Sequence, residues 1–441
     1  MPEGFLEGAA GLHVMHNIFE AFRHRDYRLL WVGNLCTTSA FWIQATTMGW
    51  VAYTLTGSGR TIGLVNLMRA IPTLLVTPIA GVAVDRLSKN KIIAVSQLSL
   101  FTFTFLLAVD IYLCALQVWH LFLFTLVAGV ANTFNQPARQ TFVFDIVPQQ
   151  IVPNAIALDN IALSSARILS PAGAGLLIVA FGAASNFLIQ ACMYLAIMAT
   201  VLSIKSKRRT QPAPRRHFSK EVAEGFRYVS RNPNARLLML MMIINPMFHI
   251  PLHMALLPIF AAKVLVGGAA ALGFLGTSIG VGGILGGLLT ASLSRVDRRG
   301  LLQILALLIH SLAHASFCVV AYWTGRIWLA LPFLVLAGIS ESVHLTTNQT
   351  VLQLLAPDHL RGRLTSVLQL VQLINPIGTF VAGSLADHYG PVAVGVIFSL
   401  CGFCMTAGIF LASARMRNLR LSELRQLGQQ GLEPASSARV F

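Results

Sequence analysis

Twelve apolar runs, each near the roughly 20 residues that a helix needs to cross a bilayer, occupy most of this 441-residue chain. They cover residues 29–55, 61–84, 91–114, 118–145, 154–180, 185–204, 236–262, 270–294, 300–323, 327–350, 364–386 and 391–414. Backbone facing lipid must satisfy its own hydrogen bonds, and these runs lack the alternation of a membrane barrel, so each is read as a helix. Charge content agrees. Only 11% of residues are charged, against about 25% in soluble domains, too few to clothe a water-facing surface. The expectation is an all-α membrane protein of twelve transmembrane helices.

Lysine and arginine set the sidedness. With the N-terminus inside, 27 of the 32 basic residues fall on cytoplasmic segments and three, Arg60, Lys263 and Arg326, on the opposite face. Arg69 and Arg167 lie within spans. The net charge of +16 is therefore a topogenic signal and a contact for anionic headgroups, not a nucleic-acid footprint. Residues 1–28 hold no sustained apolar core of a cleaved signal. The expectation from the spans and the basic residues is a multi-pass protein of a bacterial inner membrane with both termini cytoplasmic. The six cysteines lie in or beside apolar runs and read as inert core thiols, Cys401-Gly-Phe-Cys404 included.

The longest polar break divides six spans from six. The organisation predicted is a cytoplasmic segment (1–28), an N-terminal six-helix bundle (29–204), a cytoplasmic linker (205–235), a C-terminal six-helix bundle (236–414) and a cytoplasmic tail (415–441). Within the linker, Ser219 to Tyr228 reads as amphipathic. The halves echo each other. Asp145-Ile-Val-Pro148 after span four matches Leu354-Leu-Ala-Pro357 after span ten, and Ser170-Pro171-Ala-Gly173-Ala-Gly175 in span five matches Asn375-Pro376-Ile-Gly378 in span eleven. Paired repeats of this kind mark transporters that rock two halves about a central site.

Five segments carry a family resemblance: Phe22-Arg-His-Arg-Asp-Tyr27-Arg-Leu-Leu-Trp31, Trp50-Val-Ala-Tyr-Thr-Leu-Thr-Gly-Ser58, Gly81-Val-Ala-Val-Asp85-Arg86-Leu-Ser-Lys89-Asn-Lys91, Asn154-Ala-Ile-Ala-Leu158 with Ala166-Arg167 and Pro171, and Leu360-Arg361-Gly362-Arg363. In this order the chain resembles the major facilitator superfamily, in the branch of the enterobactin exporter and the macrolide-efflux permeases, over about residues 19 to 414. The resemblance implies two pseudo-symmetric six-helix bundles. It also implies a conformational latch of Gly81, Asp85, Arg86 and Lys89 with Arg361 and Arg363, Asp85 facing the N-terminal dipole of span eleven. Pro171, Gly173, Gly175, Pro376 and Gly378 are the helix-packing positions. Span five departs from the exporter pattern at Ser170 and at Ala174-Gly175.

Charge within a span is costly and is held in a cavity or paired. Arg69 lies about eight residues into span two, ~12 Å deep. Glu341 is near the middle of span ten with His344 one turn on; His249 and His253 flank Pro251 in span seven; His310 and His314 pair in span nine. The family architecture places spans one, four, seven and ten at the cavity, which makes Glu341, His344, His249 and His253 the proton-coupling candidates. Span nine stands outside, so its histidines are expected in packing or facing lipid. Substrate-cavity candidates are Arg69, Asn34, Thr38, Trp42, Gln44, Asn132, Asn135, Gln136, Asn245 and Asn348. Glu341, His344, His249 and His253 have metal-ligand chemistry but no second carboxylate nearby, so no metal site and no cofactor is assigned. No nucleophile–base arrangement of an enzyme is visible.

The function expected is proton-coupled export of an amphiphilic organic molecule, a siderophore or drug, by alternating access. The alternatives are uptake or flipping of an anionic or lipid-like metabolite anchored by Arg69, and a non-transporting receptor or scaffold. The partners expected are a small-molecule substrate, protons and lipids, without nucleic acid, in a monomer.

Overall fold

The computed structural model describes residues 20–204, 218–293, 296–356 and 358–422, and among these every regular element is a helix. A short turn, Glu20–Arg23, leads into α1 (Arg25–Thr56), α2 (Gly59–Arg86), α3 (Lys89–Tyr112), α4 (Val118–Ile146), α5 (Val152–Phe181) and α6 (Ala183–Ser203). The amphipathic linker stretch is α7 (Phe218–Arg231). Next come α8 (Pro233–Val264), α9 (Gly268–Ser292), α10 (Arg299–Thr324) and α11 (Ile327–Leu355), then α12 (Asp358–Val371), α13 (Ile374–Tyr389), α14 (Pro391–Ala412) and α15 (Ala414–Arg417).

The twelve spans are α1–α6, α8–α11, the α12–α13 pair and α14. Counted over the described residues, nine of them are long and apolar enough to cross a membrane by composition alone. Two of the exceptions have physical causes. α1 carries Asn34, Thr37, Thr38 and Gln44 among its apolar residues. Span eleven begins earlier than its apolar run and breaks at Gln372-Leu373, because Pro376 has no N–H to give Gln372 and its ring crowds that carbonyl. Large apolar side chains such as Leu75, Leu169, Leu288 and Leu411 point outward while Gln97, Gln190 and Gln303 are buried, the inversion that lipid as solvent allows. Exposed aromatics sit at span ends, Tyr112 and Trp119 in one place and Tyr322, Trp323 and Trp328 in another, as at a membrane interface.

By their internal contacts the described residues form two compact units. One takes the chain up to Ala45, Ile71–Ser170, and from Ala180 up to the linker; the other takes Thr46–Ala70, Pro171–Val179 and everything beyond the linker. The ends of α1, α2 and α5 thus belong with the later helices.

Within the second unit, α9 and α11 meet backbone to backbone. A β-carbon on Gly282 would fall on the Val335 carbonyl and 2.9 Å from Gly338 Cα, and one on Gly286 would lie 2.8 Å from Ile339 Cα. Gly282-x-x-x-Gly286 is the small-residue spacing that permits such crossings. Gly282→Val should therefore cost about 1–3 kcal/mol by overpacking, read as a fall in melting temperature and monodisperse yield. Gly287→Ala should be silent, since its β-carbon meets only Ser342 Oγ at 3.9 Å.

The linker helix and the tail are also docked in this unit. Tyr228 Oη donates to the Leu355 carbonyl (2.8 Å), and Arg363 pairs with Glu224 at 2.5 Å. Asp297 accepts from the Leu421 and Ser422 backbone N–H groups. The Ser422 N–H foremost holds its carboxyl below the usual carboxylate range. Of the cysteines only Cys318 is buried; Cys192, Cys401 and Cys404 are exposed. This corrects the core reading. An apolar solvent does not drive a thiol inward.

Candidate functional site

α8 is the irregular helix of the second unit. Pro246, Pro251 and Pro258 each remove a backbone donor, and the helix answers by widening into π-turns at Asn245–His249, Leu252–Leu256 and Phe260–Val264. Such turns recur at functional sites. Here they rotate Asn245, His249 and His253 relative to a regular helix. α13 closes on this region through Gly378, whose β-carbon would lie 2.7 Å from the Met247 carbonyl and 3.0 Å from the Pro246 carbonyl.

Glu341 is 3% exposed on α11 and accepts a long hydrogen bond from Asn245 Nδ2 (3.5 Å). His344, on the same face, is fully buried, as is His249; His253 is half-buried. The structure thus brings Glu341, His344, His249 and Asn245 into one interior. It adds His310 and His314, both fully buried against α8. They pack and do not face lipid. Asn348 is tied to the Leu238 carbonyl and to Gln303 Oε1, each at 3.1 Å, and so braces α8, α10 and α11. Arg69, in the α2 segment of this unit, is half-buried.

The first unit holds a second polar cluster. Tyr27 Oη donates to the Ala155 carbonyl (2.8 Å) and to Asp159 Oδ1 (3.4 Å), and Arg139 Nε donates to Asn34 Oδ1 (2.9 Å). Asn34 also hydrogen-bonds Asp159, which interacts electrostatically with Arg139. Sequence reasoning passed over Asp159 and took Arg139 as a loop charge. The test for a carboxylate inside an apolar run, which found Glu341, would have found Asp159 too.

The other candidates of this unit are dispersed. Thr38 and Asn132 bond to carbonyls of their own helices. Gln44 accepts from Tyr194 Oη at 3.4 Å. Arg167 lies 5.6 Å over the Trp42 ring. Asn135 is buried and Gln136 exposed.

Among the expected latch residues, Lys89 pairs with Asp145 at 2.7 Å and also donates to the Thr141 carbonyl, both on α4. The side chains of Asp85, Arg86 and Arg361 lie outside the described set. A β-carbon on Gly81 or Gly173 would meet nothing, whereas Gly175 lies against Gly273, and Gly276 lies against the Pro171 ring.

A latch of the expected type appears elsewhere. Asp387, near the end of α13, caps the start of α2: its carboxylate accepts from Ser58 Oγ (2.5 Å), Gly59 N (2.6 Å) and Arg60 N (3.0 Å). Below the cap, Gly59 meets Gly383, and Gly63 would place a β-carbon 2.5 Å from Phe380 Cα. A carboxylate on a helix N-terminus satisfies orphan N–H groups and opposes the dipole. Here it joins span two to span eleven.

A twelve-span helical chain with a buried carboxylate in a span and glycine-mediated helix crossings has the architecture of a membrane transporter. The fold is that of the major facilitator transporters: a solved structure of the peptide transporter POT superposes with a TM-score of 0.73 over 90% of this chain and 96% of that one, at 12% identity. The chain belongs to the transmembrane secretion effector family of that superfamily, whose model matches residues 17–439. It is 23% identical to the staphyloferrin A transporter of Staphylococcus aureus over 398 residues, 90% of this chain and 96% of that one. It is 25% identical to the multidrug efflux pump Tap of Mycolicibacterium fortuitum over 390 residues, 85% and 92% of the two chains. The resemblance to the efflux branch is borne out by these matches.

Proposed function

We propose that this transporter is a proton-coupled exporter of an amphiphilic organic molecule, of siderophore or lipophilic-drug type. It works by alternating access in a bacterial inner membrane, with both termini cytoplasmic. Glu341 carries the reading. A carboxylate buried in a spanning helix is suited to take up and release a proton as its surroundings alternate between wet and dry. The 27-to-3 distribution of basic residues supports the sidedness. The cargo class follows the relatives named for staphyloferrin A and for multidrug efflux, and fits interior groups that are mostly amide, aromatic and apolar.

Thermal-shift screening of the purified protein against siderophores, macrolides and lysolipids, followed by transport of the best binder in oriented proteoliposomes, tests this. Movement of that molecule from the cytoplasmic face, driven by an imposed pH gradient, is the expected result. Transport at full rate without a gradient rejects proton coupling, and accumulation in the opposite direction rejects export.

A further inference from the structure

Four histidines from two helices converge inside the second unit. His249 and His253 come from the π-wound part of α8, and His310 and His314 from successive turns of α10. Ring centroids are 4.4 Å apart for His249 and His310, 4.3 Å for His310 and His314, and 5.0 Å for His253 and His314. One ring nitrogen from each of His249, His310 and His314 lies within 4.8 Å of the other two. All three residues are fully buried. Apolar side chains would fill this space without polar groups to satisfy, so packing alone does not account for the choice of imidazole.

The hydrogen bonds of His310 and His249 fix where their ring protons sit. The Ala337 carbonyl can only accept, so His310 Nδ1, at 2.8 Å, carries the proton and Nε2 is bare. Ser311 Oγ already donates to the Leu307 carbonyl (3.0 Å), so it accepts from His249 Nε2–H (2.9 Å), which leaves His249 Nδ1 bare. His253 and His314 share a hydrogen bond between their Nε2 atoms at 3.0 Å. With the proton on His314, its Nδ1 offers a third lone pair. His249 Nδ1, His310 Nε2 and His314 Nδ1 are all buried and without a hydrogen-bond partner. Neutral imidazoles anchored through the far nitrogen to a carbonyl, a hydroxyl or another ring are how metal-ligating histidines are held.

We propose that His249, His310 and His314 form a binding site for a late first-row divalent cation such as Zn²⁺, Co²⁺, Ni²⁺ or Cu²⁺. Imidazole donors favour these ions, whereas Mg²⁺ and Ca²⁺ demand oxygen. Nitrogens on one tetrahedral Zn²⁺ lie roughly 3.3 Å apart, given Zn–N of about 2.0–2.1 Å. The rings therefore turn inward on binding, along a torsion that is broad for histidine. Glu341 lies one turn after Ala337 and acts electrostatically on His310, which offsets part of the ion's charge. The set differs from the one the sequence suggests: two of its three ligands come from span nine. The bound ion pins α8 to α10.

The test uses the full chain, purified, stripped with chelator and titrated with Co²⁺ alone. One Co²⁺ per chain is expected, with the visible ligand-field bands of a tetrahedral nitrogen site, displaced by Zn²⁺ and accompanied by a raised melting temperature. His310→Gln with His314→Gln should weaken binding at least 100-fold, while His120→Gln, outside the cluster, should leave it unchanged. Absence of stoichiometric binding to the folded wild type, or binding that survives the double substitution, overturns the proposal. Should the double variant fail to fold, X-ray absorption of the Zn²⁺-loaded wild type decides: three or more imidazole scatterers sustain the site, and an oxygen-only shell overturns it. Binding is read without a gradient or cargo, so its failure leaves the Glu341 reading standing, and the reverse.

Discussion

Glu341→Gln is expected to abolish gradient-driven accumulation of the cargo while leaving exchange of labelled for unlabelled cargo across proteoliposomes. Glutamine keeps the size of the side chain and still accepts from Asn245 Nδ2 through its amide oxygen, but it cannot bind and release a proton. One elementary charge moved through the membrane potential is worth about 2.3 kcal/mol per 100 mV, so one coupled proton sustains roughly a 50-fold gradient for each 100 mV. The variant should lose that whole factor and approach equal concentrations on both sides. Glu341→Asp should retain coupling at a reduced rate. Persistence of uphill transport in the glutamine variant would remove Glu341 from the mechanism and direct attention to Asp159. That side chain is a carboxylate within a span of the first unit that interacts electrostatically with Arg139.

Asp387→Ala should release the start of α2 from α13. Three donors, Ser58 Oγ and the N–H groups of Gly59 and Arg60, lose their acceptor together. Loss of a capping carboxylate costs about 0.5–2 kcal/mol. In a transporter whose two states differ by a few kcal/mol, that shifts the population roughly 2- to 30-fold toward the state in which this end is parted. Spin labels at Thr61 and Tyr389, in a cysteine-depleted background, should report a longer and broader distance distribution, with transport slowed. Asp387→Asn, which keeps one acceptor oxygen, should fall between. An unchanged distribution together with unchanged transport would reduce the cap to a local helix stop.

This latch was legible in principle. The expected one lies at Gly81-Val-Ala-Val-Asp85, and Gly383-Ser-Leu-Ala-Asp387 repeats its glycine and aspartate spacing at the end of span eleven. Read through the two-half repeat, a carboxylate that ends span two and faces span eleven implies one that ends span eleven and faces span two. The observed bond is the second of these. Glu341, His344, His249 and Asn245 were legible because polar groups in apolar runs are costly enough to stand out singly. The fate of Asn348 was not, because its neighbours Gln303 and Leu238 are remote in sequence and nothing local distinguishes a cavity-lining amide from a bracing one.

What the sequence determined by itself is the solvent, the twelve helical spans and, through its motifs, the family. The spans follow from a local sum, apolar area along about twenty residues, and lipid enforces them segment by segment. What only the tertiary structure decided is which polar groups meet. A spanning helix apolar all round gives no phase from which to tell its inner face. In α8 three prolines shift the phase again through π-turns. The span-nine histidines therefore read as peripheral, yet they close on His249. Asp387, which lies just past the apolar run of span eleven, holds the start of α2. Both outcomes depend on helix rotation and on glycine-scale approach between distant segments, and these are properties of packing rather than of any window of sequence.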